Sequence, residues 1–323
     1  MSNPNMNHTK DYDVLAFGEL NLDLLVTGLE SMPVPGREVI AKGASLVLGS
    51  STAICAAGMA QLGLKTAMCS LVGNDDFGKR AIGFLDEYGV DTQYVTVDGD
   101  TQTGLTISLS GPSDRALVTH FGAIAETTAD YVDGDLLART RHIHVGSYFL
   151  QEKLRPGLPR LFAEARARGV TTSLDAGWDD TGCWGYNLKD TLAYTDVFFP
   201  NESEAMAITG KATPESALVA LAGMCGIAVV KCGKQGAWLR RGDESLFAES
   251  YAVTNVADTT GAGDSFNAGF LYAYLSGFGL MRCLRYGHAC AAVSVTRIGG
   301  ASGCATLADA EAVLESGSVN ICI

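Results

Sequence analysis

The stretch Asp258-Thr259-Thr260-Gly261-Ala262-Gly263-Asp264-Ser265-Phe266 runs directly into the helix-compatible segment Asn267 to Leu275. Two glycines flanking an alanine let the backbone come close to a ligand. At a helix start, the N–H groups that lack an intrahelical acceptor point outward along the positive end of the dipole. The stretch therefore reads as an anion site suited to the charge on a transferring phosphoryl group. Asp264 sits inside the turn, where a carboxylate can accept a proton from an attacking hydroxyl. The residues alone leave a plainer reading open: a Gly-rich turn in which Asp264 stabilises the first turn of its helix.

On either side of this turn, strand-like and helix-like runs alternate. Strands are expected at Asp13–Gly18, Thr66–Val72, His142–Val145, Val170–Leu174, Asp196–Phe199 and Ile227–Lys231. Helices are expected between them, at Ser51–Leu62, Phe77–Tyr88, Pro156–Arg168, Glu202–Thr209 and Pro214–Cys225, with long ones at Gly263–Ser276 and Leu280–Arg297. Such alternation implies an α/β fold, a mostly parallel sheet with helices on both faces. Two segments break the rhythm. Asn21–Val26 alternates polar with apolar and is followed by a strand candidate at Glu38–Lys42; Tyr94–Val97, Gly104–Leu109 and Ala116–Phe121 follow one another with only Gly/Pro/Asp turns between. These pieces, from about 22–42 and 94–121, are expected to form a small separate β-sheet. Placed at the carboxyl ends of the parallel strands, where ligands of α/β sheets bind, it would act as a lid.

Composition narrows the partners. The 323 residues carry 36 acidic and 23 basic side chains, a net charge of −13, which repels nucleic-acid phosphates and anionic membranes. Neither is an expected partner. The nine cysteines include no CxxC pair, which suggests reduced thiols and a cytoplasmic setting. Residues 1–11 are polar, lack a signal-peptide core, and read as a disordered tail before a domain spanning 12–323. No Walker A string, no GxGxxG after a strand and no HExxH occurs, so a P-loop kinase, a dinucleotide fold and a zinc hydrolase are not supported.

The nine-residue string around Asp264 resembles the C-terminal signature of the ribokinase-like, PfkB-type carbohydrate kinases. The resemblance extends from about Asp13 to Thr306 and implies a three-layer ribokinase-like fold with a β lid. It implies Asp264 as catalytic base, with Gly261, Ala262 and Gly263 supplying the anion hole. Gly18-Glu19-Leu20-Asn21-Leu22-Asp23 is similar to the family's sugar-binding turn, with Asn21 and Asp23 bonding substrate hydroxyls; on residues alone this is a turn capped by its own Asn and Asp. Gly49 and Ser50 stand where the family has a Gly-Gly pair, and Ile54 where an Asn is usual, a departure that makes ribose itself less secure as the substrate. Asn201-Glu202-Ser203-Glu204 matches an Asn-x-x-Glu motif: Asn201 would support the phosphates and Glu204 would hold Mg²⁺ through its waters. The same four residues also read as a helix capping box. Lys231, Gly233 and Gly236 resemble a turn that contacts nucleotide, alongside Thr260 and Gly261; an ordinary hairpin turn fits them equally. The loop Arg297–Gly303 resembles a monovalent-cation site, with Asp258 and Thr260 giving carbonyl ligands, which would make K⁺ an activator.

The resemblance thus implies an ATP- and Mg²⁺-dependent phosphotransferase acting on a hydroxymethyl group of a sugar or sugar derivative. A nucleoside kinase of the same family is the alternative, and a non-catalytic sugar or nucleotide sensor is the rival of a different class. Exposed lid edges imply a homodimer.

Overall fold

The structure is a computed structural model and describes residues 10–111 and 115–319. Residues 1–9 of the expected tail lie outside the described residues. In chain order the strands are β1 (Tyr12–Phe17), β2 (Asn21–Thr27), β3 (Gly43–Leu48), β4 (Thr66–Gly73), β5 (Asp91–Asp98), β6 (Gly104–Ser110), β7 (Arg115–His120), β8 (Thr140–Val145), β9 (Thr171–Leu174), β10 (Val197–Phe198), β11 (Ile227–Lys231), β12 (Ala237–Arg241) and β13 (Glu244–Ala248).

Nine strands form the main sheet in the order β13-β12-β11-β10-β9-β8-β1-β4-β5. The seven from β11 to β5 are parallel; β12 and β13 close the edge as an antiparallel hairpin. Parallel strands are covered on both faces, and their side chains show it. Along β11, Ala228 and Val230 enter one core while Ile227 and Val229 enter the other. The first core lies under the helix Leu158–Ala167, the second under the long helices Ala262–Leu275 and Leu280–Ser294. The strand order reverses between β1 and β8, so the carboxyl ends of these two strands open a crevice at the switch point.

The lid is a second sheet, β3-β2-β6-β7, in which β2 and β6 run parallel and the outer pairs antiparallel. Two expectations are corrected here. The strand after β2 is Gly43–Leu48, not Glu38–Lys42: Leu22 lies opposite Leu48 and both enter a core with Ile54, whereas Ile40 is 74% exposed. The Tyr94–Val97 run is not a lid strand either. It belongs to β5, the far edge of the main sheet, where Tyr94 packs edge-on against Tyr12 of β1. The chain leaves β5 for the lid without an intervening helix, which made the two sheets look like one hairpin series. The helix from Leu280 also ends at Ser294, three residues early, because the Val295 carbonyl accepts the N–H groups of Ala257 and Asp258.

Candidate active site

Each side chain of the crevice is delivered by a strand or helix end. β1 ends at Phe17, and the chain turns through Gly18 at φ +141, where a Cβ would lie 2.7 Å from Gln151 Oε1. That turn delivers Glu19, Asn21 and Asp23. Asn21 Nδ2 donates to Asp23 Oδ1 at 3.2 Å, and Gly49 lies against both: a Cβ there would sit 2.3 Å from Asp23 Oδ1. Ser50 adopts φ +69, a backbone state in which a side chain is strained. It is held there because its hydroxyl donates to the Glu19 carbonyl at 2.7 Å and accepts from Ala53 N–H at 3.1 Å, capping the helix Ser51–Gln61. Ser50 therefore keeps the geometry a second glycine would allow, by bonding instead of by freedom.

The turn Thr259–Gly263 enters the helix Ala262–Leu275 through Gly261 at φ +75. A Cβ on Gly261 would meet Gly300 Cα at 2.8 Å and Ile54 Cγ2 at 3.2 Å, so Ile54 fills the seam between two glycine loops. The turn is a wall between two cavities. A cavity of about 690 Å³ on one side is lined by Glu19, Asn21, Asp23, Gly261 and Asp264. A second of about 650 Å³ on the other side is lined by Gly233, Gly236, Val256, Gly263 and Phe266 and is the more apolar of the two. Thr259 touches both.

Burial dominates the electrostatics. It pushes the Asp264 carboxyl up to about 8, helped by the Asp175 and Glu19 carboxylates and opposed by Lys231 and a hydrogen bond from Ser51. Glu19 is raised to about 7 and Asp23 to about 6 for the same first reason. A carboxyl at the N-terminus of a helix, facing a cavity, with its ionisation brought near neutrality, is suited to taking a proton.

The other expected residues divide. Asn201 and Glu204 form the capping box read from sequence: Asn201 N–H donates to Glu204 Oε2 at 2.8 Å and Glu204 N–H to Asn201 Oδ1 at 2.9 Å. They line neither cavity, but Asn201 bridges to Lys231 on β11 beside the second. The Lys231 side chain turns inward, its Nζ 2.7 Å from Asp175 Oδ2 and 3.2 Å from Asn267 Oδ1. Asp258 joins the two loops expected at a cation: Oδ1 accepts from Thr260 N–H and Oγ1, Oδ2 from Gly299 N–H at 3.0 Å. Trp184 is half-buried and packs edge-on against Phe149 and Trp178 at the margin of the core.

Sequence reasoning missed Arg115, whose Nη1 donates to Thr260 Oγ1 at 3.2 Å and ties the lid to the Gly261 turn. It also gave His288 no role, though this histidine lines the second cavity. Neither is flagged by any local pattern.

The model of the PfkB family carbohydrate kinases matches residues 12–307. The chain belongs to the PfkB family. This carbohydrate kinase is 30% identical over 264 residues to the 2-dehydro-3-deoxygluconokinase of Bacillus subtilis, spanning 78% of this chain and 81% of the relative. It is 29% identical over 249 residues to an uncharacterized sugar kinase of Archaeoglobus fulgidus, spanning 76% of this chain and 97% of the relative. A crystal structure from E. coli, provisionally named ribokinase II and solved with ATP and Mg²⁺, superposes with a TM-score of 0.84 at 26% identity, covering 94% of the kinase and 99% of that chain. The ribokinase-like fold with its β lid is thus established, as is membership in an ATP-using family. Among the described residues, the eight cysteines are free and no helix is long and apolar enough to cross a membrane.

Proposed function

We propose that the protein transfers the γ-phosphoryl group of ATP to a hydroxymethyl group of a sugar or sugar derivative, with Asp264 as general base. The observation that carries this reading is the position of Asp264 on a helix N-terminus that walls off a polar cavity from an apolar one. The polar cavity suits the sugar, against Asn21, Asp23 and Gly49, and the apolar one suits the adenine, beside Gly233 and Gly236. Asp264 takes the hydroxyl proton as the substrate oxygen bonds to the γ-phosphorus. The bond from that phosphorus to the bridging oxygen breaks, and ADP leaves with the electron pair. The N–H groups of Gly261, Ala262 and Gly263 face the transferring group.

Among the described residues no three His, Cys, Asp or Glu side chains gather to hold a metal. A single carboxylate, Glu204, with one oxygen already on Asn201 N–H, fits a Mg²⁺ carried in by the phosphates and held through water. Mg²⁺, when bound, neutralises charge on the phosphate oxygens. For a monovalent cation, the Asp258–Gly299 staple supports a shared site of the two loops, tested by assaying turnover with K⁺ present and absent.

The polar cavity sets Glu19, Asp23, Asp180 and Asp264 against Arg115, so an uncharged hydroxylated acceptor fits it better than a sugar phosphate. Ile54 in its wall also offers apolar surface, which favours a nucleoside as the second reading; a panel of sugars and nucleosides separates the two. Edge strand β7 exposes Leu117 and Val118, which supports a homodimer measurable by light scattering. Asp264→Asn is expected to lower turnover by about 10²–10⁴-fold while ATP still binds by calorimetry. Near-normal turnover in that variant rules the base assignment out, whereas calorimetric binding with no turnover of any acceptor by the unaltered protein would make a non-catalytic sensor the better reading.

A further inference from the structure

Beneath the catalytic turn lies a buried polar group that the proposed reaction does not use. Lys231 is the last residue of β11, Asp175 follows β9, and Asn267 stands one helical turn beyond Asp264. Asp175 Oδ2 accepts from Lys231 Nζ at 2.7 Å and from Asn267 Nδ2 at 2.9 Å, while Lys231 Nζ also donates to Asn267 Oδ1 at 3.2 Å. The second Asp175 oxygen accepts from Gly177 N–H at 3.1 Å. A Cβ built on Gly263 would lie 3.4 Å from Lys231 Nζ, so the ammonium sits against the underside of the turn, next to Asp264 in the chain.

We infer that Lys231 is a positioning residue for Asp264: pinned by Asp175 and Asn267 under the Gly261–Gly263 turn, it sets a positive charge beside the catalytic carboxylate and fixes the first turn of its helix. The inference rests on Asp264 being the base. The groups that face Asp264 come from every neighbouring element: Glu19 from the turn after β1, Ser51 and Cys55 from the helix Ser51–Gln61, Asp175 after β9, Lys231 from β11, and Cys304 after the loop 299–303. In this set Lys231 carries the only positive charge. Burial, Asp175 and Glu19 all favour the protonated acid, which cannot accept a proton from substrate; Lys231 opposes them. Lys231 borders the apolar cavity, where a lysine whose task were only to contact the nucleotide would leave its ammonium unbonded. Here its side-chain hydrogen bonds run inward instead, to a carboxylate after β9 and an amide on the helix that carries Asp264.

Lys231 and Asp175 have opposite charges, so their removal displaces the acid limb of the kcat/KM–pH profile in opposite directions. Lys231→Met is expected to move that limb up by about one pH unit or more, with a loss of at least about tenfold at neutral pH that narrows as pH rises. Lys231→Arg is expected to keep the limb near its native position. Asp175→Asn is expected to move it down. Simple loosening of the fold moves all three activities together and cannot produce shifts of opposite sign. Should Lys231→Met fail to fold, Asp175→Asn and Lys231→Arg still decide: a downward shift in the first with a native limb in the second supports the inference. Limbs that stay put or move in the same direction overturn it, provided Asp264→Asn is inactive. Activity in Asp264→Asn would instead sink the base assignment on which the inference rests.

Discussion

Gly49 shows how one missing atom shapes the proposed sugar site. Asp23 Oδ1 and Asn21 Nδ2 come to 2.3 and 2.7 Å from the place where any larger residue would carry its Cβ, and the nearer atom is a carboxylate oxygen that belongs to the site itself. Gly49→Ala is therefore expected to push the Asp23 carboxylate out of register and lower kcat/KM for the acceptor by about 100-fold, the scale of a 1 Å misplacement. Its thermal midpoint should stay close to that of the wild type, since the displaced groups face a cavity; unchanged kcat/KM in steady-state assays would remove Asn21 and Asp23 from the substrate site. The residues of this site that lie close together in sequence were readable as such: the turn around Asp264, the Asn21–Asp23 pair and the capping box of Asn201 and Glu204. Ser50 was readable as a departure but not as a solution, because its φ of +69 and its bond to Glu19 depend on a residue 31 positions away. The Lys231–Asp175–Asn267 group was opaque for the same reason. Its members are 56 and 36 positions apart, and each has an ordinary local explanation.

At the scale of elements, the lid is where sequence pattern misled and where one contact carries a consequence. Period-two alternation identified strands near β2, β5, β6 and β7, but alternation does not say which sheet a strand joins; that is decided by long-range pairing, such as Tyr94 of β5 against Tyr12 of β1. What holds the lid over the cavity is visible at β7. All its residues are exposed, yet Arg115 at its start reaches Thr260 in the Gly261 turn. Arg115 also favours the ionised form of Asp23 and Asp258 by its charge, so it links the lid, the Asn21–Asp23 turn and the Gly261 turn. Arg115→Ala is expected to loosen closure, raising the KM for acceptor several-fold and letting water compete for the γ-phosphate. Measuring ADP release against phosphorylated product gives the coupling ratio. An unaltered ratio together with an unaltered KM would show that Arg115 is a surface contact and that closure depends on other groups.

Over the whole molecule, two sets of buried titrating groups pull stability in opposite directions with pH. His142 and His144 of β8 lie under the helix Ala262–Leu275 in a row with Thr171 and Ser173 of β9: His142 bonds both hydroxyls, at 2.8 and 2.7 Å, and His144 bonds Ser173 at 2.8 Å. Burial lowers them to about 3 and about 4, and His288 to about 4. The folded state holds them neutral, so their contribution is complete above the unfolded value near 6.5 and is lost as pH falls toward 4 and below. Four buried carboxyls have the reverse sign. Glu19 and Glu204 are raised to about 7, Asp23 to about 6 and Asp264 to about 8, mainly by burial; their contribution is complete below the unfolded value near 4 and is lost as pH rises through those values. Between about 4.5 and 6 the two sets offset one another, and each unmatched proton tilts stability by about 1.4 kcal/mol per pH unit. Ligand-free protein is therefore expected to show a nearly flat stability through that interval, a decline from about pH 6.5 to 8 that belongs to the raised carboxyls, and an acid-side decline below about pH 4 that belongs mainly to carboxylates held below their usual range by hydrogen bonds and nearby charge, Asp175 and Asp258 among them. Urea denaturation across the pH series measures the curve. Asp264→Asn removes the most strongly raised carboxyl, so it should stabilise the protein, and by more at pH 8 than at pH 6, while lowering turnover as proposed above. Wild-type stability that climbs steadily from pH 5 to 8, or an Asp264→Asn variant whose advantage does not grow with pH, would mean that the carboxyls are ionised at no cost to the fold. In that case the cavity would not be holding its base near neutrality at the expense of stability.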